Sequence, residues 1–249
     1  TFFGSSANDA CFNSWLTDST NSSNRGKVEG INAMMPLLAI LIVFGLLSGY
    51  ATEGKWHIMF IILAVLTITA GIVGIFTIKD VPIEVKKDSH YFKDILYGFK
   101  PSSIKNNKSL YAVLLIFALF GIGVQTFMTF LVQYYHATIE GTFLGFDKYV
   151  IIMAPAIILA SVFTLFYARL YDKLGFIKSL VGSLVILIVG LFILFIFKNP
   201  NEQLIPVCMG SLLMMCGYLG STAIFGAMIR DLTPKGKVGL FQGIRIIAQ

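Results

Sequence analysis

The stretch from Ile177 to Phe197, IKSLVGSLVILIVGLFILFIF, carries a single charge over the length needed to cross ~30 Å of hydrocarbon. A buried helix of a soluble protein is shorter and keeps a polar face. One such block could belong to an unusual core, but the chain repeats the pattern. Apolar segments fall at 1–17, 31–50, 56–78, 110–136, 148–169, 179–197 and 204–229, with a further one beginning near 238. Only 13% of the 249 residues are charged, against about 25% in ordinary soluble domains. Backbone groups in hydrocarbon must be satisfied internally, so each block is expected to be a helix. A β-barrel would instead show alternating stretches of about ten residues. The expected fold is all-α, a polytopic membrane helix bundle.

The basic residues give the bundle a direction. Counted along the chain, the odd-numbered loops between segments hold fifteen Lys and Arg and the even-numbered loops three. The odd-numbered loops are therefore expected to face the cytoplasm. The same distribution explains the net charge of +6 as a topology signal, and no nucleic-acid partner is expected. Cys11, Cys208 and Cys216 lie inside apolar segments with no CxxC or Cys/His spacing, which reads as buried free thiols. The third loop, from Lys79 to Ser109, is long and polar beside its short neighbours. Its start is suited to an amphipathic helix on the membrane surface.

The first and seventh segments resemble each other. ANDACFNSWLTDST (Ala7–Thr20) aligns with GSTAIFGAMIRDLT (Gly220–Thr233) without a gap. Ala10 matches Ala223, Phe12 matches Phe225, Asp18 matches Asp231 and Thr20 matches Thr233. Continued without a gap, Gly30 and Ile31 match Gly243 and Ile244, and Asn32 matches Arg245; with a small gap, Gly26-Lys27-Val28 matches Gly236-Lys237-Val238 instead. An even separation of six segments gives both copies the same orientation, so the repeat is a parallel one of a six-helix unit. The long third loop falls between the copies.

This arrangement resembles the major facilitator superfamily, with two six-helix halves and a long cytoplasmic loop between them. The resemblance implies a two-half architecture, here incomplete and running from helix IV to the start of helix XI. Residues 1–78 would be the end of the N-terminal half (helices IV–VI), 79–109 the central cytoplasmic loop, and 110–249 the C-terminal half (helices VII–XI). A first residue other than Met, and a last apolar segment only about twelve residues long, fit a piece of a longer chain. The loop ARLYDKLGFIK (Ala168–Lys178) is similar to the superfamily's G-x-L-x-D-R-x-G-R-R signature at Asp172, Lys173 and Gly175. Ala168 stands in place of the first glycine, and Phe176 and Ile177 in place of the basic pair. DACFNSWL (Asp9–Leu16) and GKVGLFQGIR (Gly236–Arg245) are similar to runs in the glycoside–pentoside–hexuronide:cation symporters, the melibiose-permease group, with Cys11 where proline is usual.

Function is then expected where polar residues break the apolar pattern. Helices VI and IX should be the greasiest and face lipid. Helix IV carries Ser5, Ser6, Asp9 and Asn13 on one face. Helix VII has Gly121, Gln125, Thr129 and Gln133, and helix X has Gly217, Tyr218, Ser221 and Thr222. These stripes either line a polar cavity or pack helix on helix. A carboxylate inside a span points to function. Asp9 is read as a ligand for a coupling Na⁺ or H⁺, or for a sugar hydroxyl, unless it lies at the outer surface. Asn8 and Asn13 would complete an oxygen-rich site for a hard cation. Arg245 is read as binding an anionic group, pairing with Asp9 across a cavity, or snorkelling to the cytoplasmic surface. Asn32 and Gln125 are weaker candidates for the same site. Asp18, Asp172 and Asp231, with Lys173 and Gly175, are placed to pair with nearby basic residues and latch the halves.

The resulting expectation is a secondary active transporter of a small polar solute, a sugar or glycoside, working by alternating access coupled to Na⁺ or H⁺. It would be a multi-pass, monomeric protein of the cell membrane, with no cofactor and no metal beyond Na⁺ at Asp9. A lipid transporter or drug exporter of the same fold is the alternative. A membrane-embedded enzyme is disfavoured, because the chain carries no HExxH or GxSxG motif and His57, His90 and His136 lie in loops or at their edges. A polar cavity between helices IV, VII, X and XI would support solute transport, and a greasy lateral cleft would favour lipid.

Overall fold

In the computed structural model of the chain, the described residues are 2–21, 24–43, 47, 49–50, 53–78, 96–138, 142–143, 146–197, 203–234, 240–241 and 243–245. They form a helical bundle. The long helices are α1 (Phe2–Asp18), α2 (Arg25–Ile42), α3 (Trp56–Thr77), α5 (Lys108–Thr138), α6 (Lys148–Leu174), α7 (Phe176–Ile196) and α8 (Leu204–Leu232). A 3₁₀ turn at Leu96–Phe99 and the short α4 (Pro101–Asn106) precede α5. A two-residue antiparallel ladder, Thr142–Phe143 with Phe146–Asp147, closes the link from α5 to α6. Residues 240–241 and 243–245 are again helical.

Helix limits overrun the apolar segments, most at the ends bearing the basic loops. α2 starts at Arg25 and α6 runs to Leu174. Hydropathy marks the hydrocarbon slab, whereas the backbone ladder continues into the polar interface. By length and composition α3, α5, α6, α7 and α8 can cross a membrane. α1 and α2, the most polar of the long helices, do not reach that standard among the described residues. The surface helix expected at the start of the third loop lies mostly outside the described residues.

Burial sorts the helices. α3 has no buried residue and presents Phe60, Ile61, Ile68, Ile75 and Phe76 outward. α7 buries one face, Ser179, Leu180, Ser183, Gly190 and Leu194, and exposes Ile188, Phe192 and Phe195. These are the two greasiest helices, and both present apolar surface to the surroundings as expected. α8 is buried nearly all round, packed against α2, α5, α6 and α7.

Two glycine contacts set the α7–α8 distance. At Gly217 a Cβ would come within 2.6 Å of the Leu187 backbone and Cβ. At Gly190 it would press on the Met214 backbone and the Gly210 carbonyl. Ser221 then donates to Ser183 across the same seam at 2.9 Å. Two clusters complete the core. One joins Leu37 of α2 to Ile152, Ala156 and Ala160 of α6 and Met214 and Leu219 of α8. The other joins Leu110, Val113 and Phe117 of α5 to Ile224, Phe225 and Phe241.

Candidate functional site

Three charged side chains meet inside the protein where the basic ends of α1, α2 and α8 converge. Glu29 lies one turn into α2, and Arg230 lies in the last turn of α8. Glu29 and Arg230 are each 2% exposed, and Arg245 is 7% exposed. The Arg230 Nε donates to Glu29 Oε1. Its Nη1 donates to the Asn13 carbonyl at 2.7 Å and to Thr17 Oγ1, and its Nη2 donates to Asn13 Oδ1 at 2.9 Å. The guanidinium therefore spends its fork on three residues of α1 and α2. Gly226, one turn before Arg230, makes room for Glu29: a Cβ there would meet Glu29 Oε2 and lie 2.7 Å from Cδ.

Arg245 approaches the same carboxylate from the other side. Its Nη1 is 3.8 Å from Glu29 Oε1, beyond hydrogen-bond distance, and is buried without an acceptor among the described residues. Its Cζ lies 6.0 Å from the centre of the Phe117 ring. The backbone around Arg245 is held from outside the bundle. Gly98 sits against Ile244 so closely that a Cβ would strike the Ile244 side chain. Tyr111 donates its hydroxyl to the Gly98 carbonyl and meets Phe241 edge-on at 6.1 Å. The end of the third loop is thereby pinned to the segment carrying Arg245.

Thr17 and Arg230, which are hydrogen-bonded, occupy matching positions in the internal repeat, as do Asn13 and Gly226. Two like elements brought together by a twofold relation meet in this way, position against position. In the same register Glu29 matches Gln242.

The structure redistributes the expected roles. Asn13 is half-buried, and its oxygen accepts from Arg230 while its nitrogen donates to the Asp9 carbonyl at 2.8 Å. That oxygen is committed and does not complete a cation site with Asp9. Asn8 and Asp9 are both exposed on α1. Arg245 is paired with Glu29, not with Asp9, and its burial excludes snorkelling to the surface. Asn32 is half-buried one turn beyond Glu29, and Gln125 is exposed on α5. Asp18 and Asp231 are exposed, and the ion-pair partner of Arg230 is Glu29. Lys173 is exposed beside Gly175, whose φ of +78° makes the turn from α6 to α7. The side chain of Asp172 lies outside the described residues.

The polar stripe of α8 serves packing. Gly217 contacts α7, Ser221 pairs with Ser183, and Thr222 donates to the Tyr218 carbonyl at 2.9 Å. Tyr218 of that stripe lines a cavity of about 230 Å³ between α5, α7 and α8. Its walls are apolar, built from Leu119, Phe120, Phe127, Leu191 and Met214 among others.

Sequence reasoning singled out Arg245 but missed Glu29 and Arg230. Arg230 was counted as a loop charge, although it precedes the end of α8. The signal for Glu29 was the Gly-Ile match that nominated Asn32, since it also places Glu29 opposite Gln242.

Compared with known proteins, the chain matches the family model described as Major Facilitator Superfamily over residues 2–249. Comparison with curated proteins and with solved structures returned no match.

Proposed function

Because the chain belongs to the major facilitator superfamily, and is thus a membrane transporter, we propose that it moves a small polar solute, a sugar or glycoside, by alternating access coupled to Na⁺ or H⁺. The observation that carries this reading is the buried Arg230–Glu29 pair, which ties α1 and α2 to α8 at one end of the bundle. A static bundle gains little from such a pair, because desolvation offsets much of its attraction. A transporter that must separate two halves gains a joint that holds when closed and dissolves when water enters. The cytoplasm is the natural side for it, since the adjoining loops carry the basic residues. Residues 1–78 and 110–249 are then the moving halves, the third loop is the tether, and the cell membrane is the site of action.

Asp9 is the residue proposed to bind the coupling ion. It is exposed on α1, as is Asn8. The similarity of DACFNSWL to the melibiose-permease group supports an acidic role there. Uptake of labelled sugars into proteoliposomes holding the full-length protein, under imposed Na⁺ or H⁺ gradients, tests the proposal. Asp9→Asn is expected to abolish gradient-driven uptake and to leave the purified protein folded. Unchanged uptake and coupling in that variant would remove Asp9 from the mechanism.

The apolar cavity between α5, α7 and α8 favours a second reading, a lipid transporter or drug exporter. Under it the same liposomes would take up an acyl-chain probe and no sugar.

A further inference from the structure

The charges in the buried cluster do not balance. Among the described residues two arginines face one glutamate, an excess of positive charge. Arg230 has acceptors for all three of its nitrogens. Arg245 does not. Its Nη1 has no hydrogen-bond partner among the described residues, and Glu29 stands 3.8 Å away with the same oxygen already taken by Arg230. A buried donor without an acceptor is costly, and a buried cation without one more so. The Phe117 ring at 6.0 Å compensates little. A guanidinium in this condition is short of an anionic oxygen acceptor, which its fork can take from a carboxylate or a phosphate.

We infer that Arg245 binds the oxyanion of a small solute, a carboxylate or phosphate group, which competes with Glu29 for the two arginines. This rests on the transport reading above and names its substrate class: the polar solute carries a negative charge. The site is closed in this structure because Glu29 and Arg230 seal it. It opens as α1 and α2 part from α8. An arriving anion neutralises Arg245 and weakens the hold of Arg230 on Glu29, so binding and release of the joint are one event. The turn at Leu96–Phe99, packed on Ile244 through Gly98, fixes the backbone that presents Arg245.

The test uses the purified full-length protein and its unfolding temperature in the presence of glucose, glucuronate and inorganic phosphate, each at millimolar concentration. Glucose and glucuronate share a ring and differ at the carboxylate. Glucuronate or phosphate should raise the unfolding temperature by several degrees, and glucose should not. The shift should vanish in Arg245→Gln and shrink in Arg245→Lys, which keeps the charge and loses the fork. If Arg245→Gln fails to fold, as judged by its elution profile, Arg245→Lys and competition between phosphate and glucuronate carry the test. An equal shift with glucose, or an anion shift that survives Arg245→Gln, overturns the inference. So does a shift seen only in nanodiscs containing phosphatidylglycerol, which would make the acceptor a lipid headgroup. Uptake of a neutral sugar with no response to either anion would refute the anion site and leave the transport reading standing.

Discussion

Truncating Glu29 would take the carboxylate from the buried Arg230 guanidinium and leave it the neutral acceptors of Asn13 and Thr17. Breaking a buried pair by removing one partner costs about 3–5 kcal/mol, whereas replacing both partners with apolar groups is often neutral. Glu29→Ala should therefore lower the unfolding temperature clearly, and Glu29→Leu combined with Arg230→Met and Arg245→Met, which removes all three buried charges, should restore most of the loss. A thermal unfolding series on the wild type and the two variants checks this; additive losses in the triple variant would show that the buried charges are not the source. Gly226→Ala should act in the same direction, because its Cβ would press on the Glu29 carboxylate. Arg245 stood out in the sequence because it breaks an apolar run. Glu29 did not, since it falls two residues before the apolar segment at 31–50 and reads as part of the preceding loop. Burial depends on which helix end it meets, and that is a tertiary fact.

The α7–α8 seam shows what a helix pattern can and cannot disclose. That α7 would be greasy and partly lipid-facing was readable from its composition, and the same holds for α3. The stripe of α8 was equally visible, yet its orientation was not. Gly217 and Ser221 sit at the spacing of either a cavity wall or a close helix contact, and only the position of α7 decides between them. At Gly217 the obstacle is the Leu187 backbone, 2.5 Å from a would-be Cβ at Cα, so no rotamer change relieves it. Gly217→Val should push the helices apart and cost about 1–3 kcal/mol or more. Gly123→Ala on α5, with nothing within 4 Å, should cost little beyond experimental scatter. Equal thermal stability of the two variants would refute close packing at this seam.

For the whole molecule, the number of long helices and their limits to within a few residues follow from hydrocarbon thickness, which is why they were legible. How the bundle closes was not, because the polar groups that close it are few and their partners lie far away in sequence. Orientation in the membrane is the global property most directly written in the residues. Fifteen basic side chains on one set of loops against three on the other oppose any inverted insertion, since moving each charge across 100 mV costs ~2.3 kcal/mol. The third and fifth loops should thus share one side and the turn around Gly54 should lie on the other. Single cysteines at Ser102, Lys173 and Glu53, all exposed, can report this once Cys11, Cys208 and Cys216 are replaced. In sealed membrane vesicles an impermeant maleimide should label Ser102→Cys and Lys173→Cys from the cytoplasmic face only. Glu53→Cys should react from the opposite face only. Labelling of Ser102→Cys and Glu53→Cys from the same face would place an odd number of crossings between them at fault. The assignment of α2, whose composition falls short of the other spans, would be unaffected, since it precedes both positions, and the error would lie in α3.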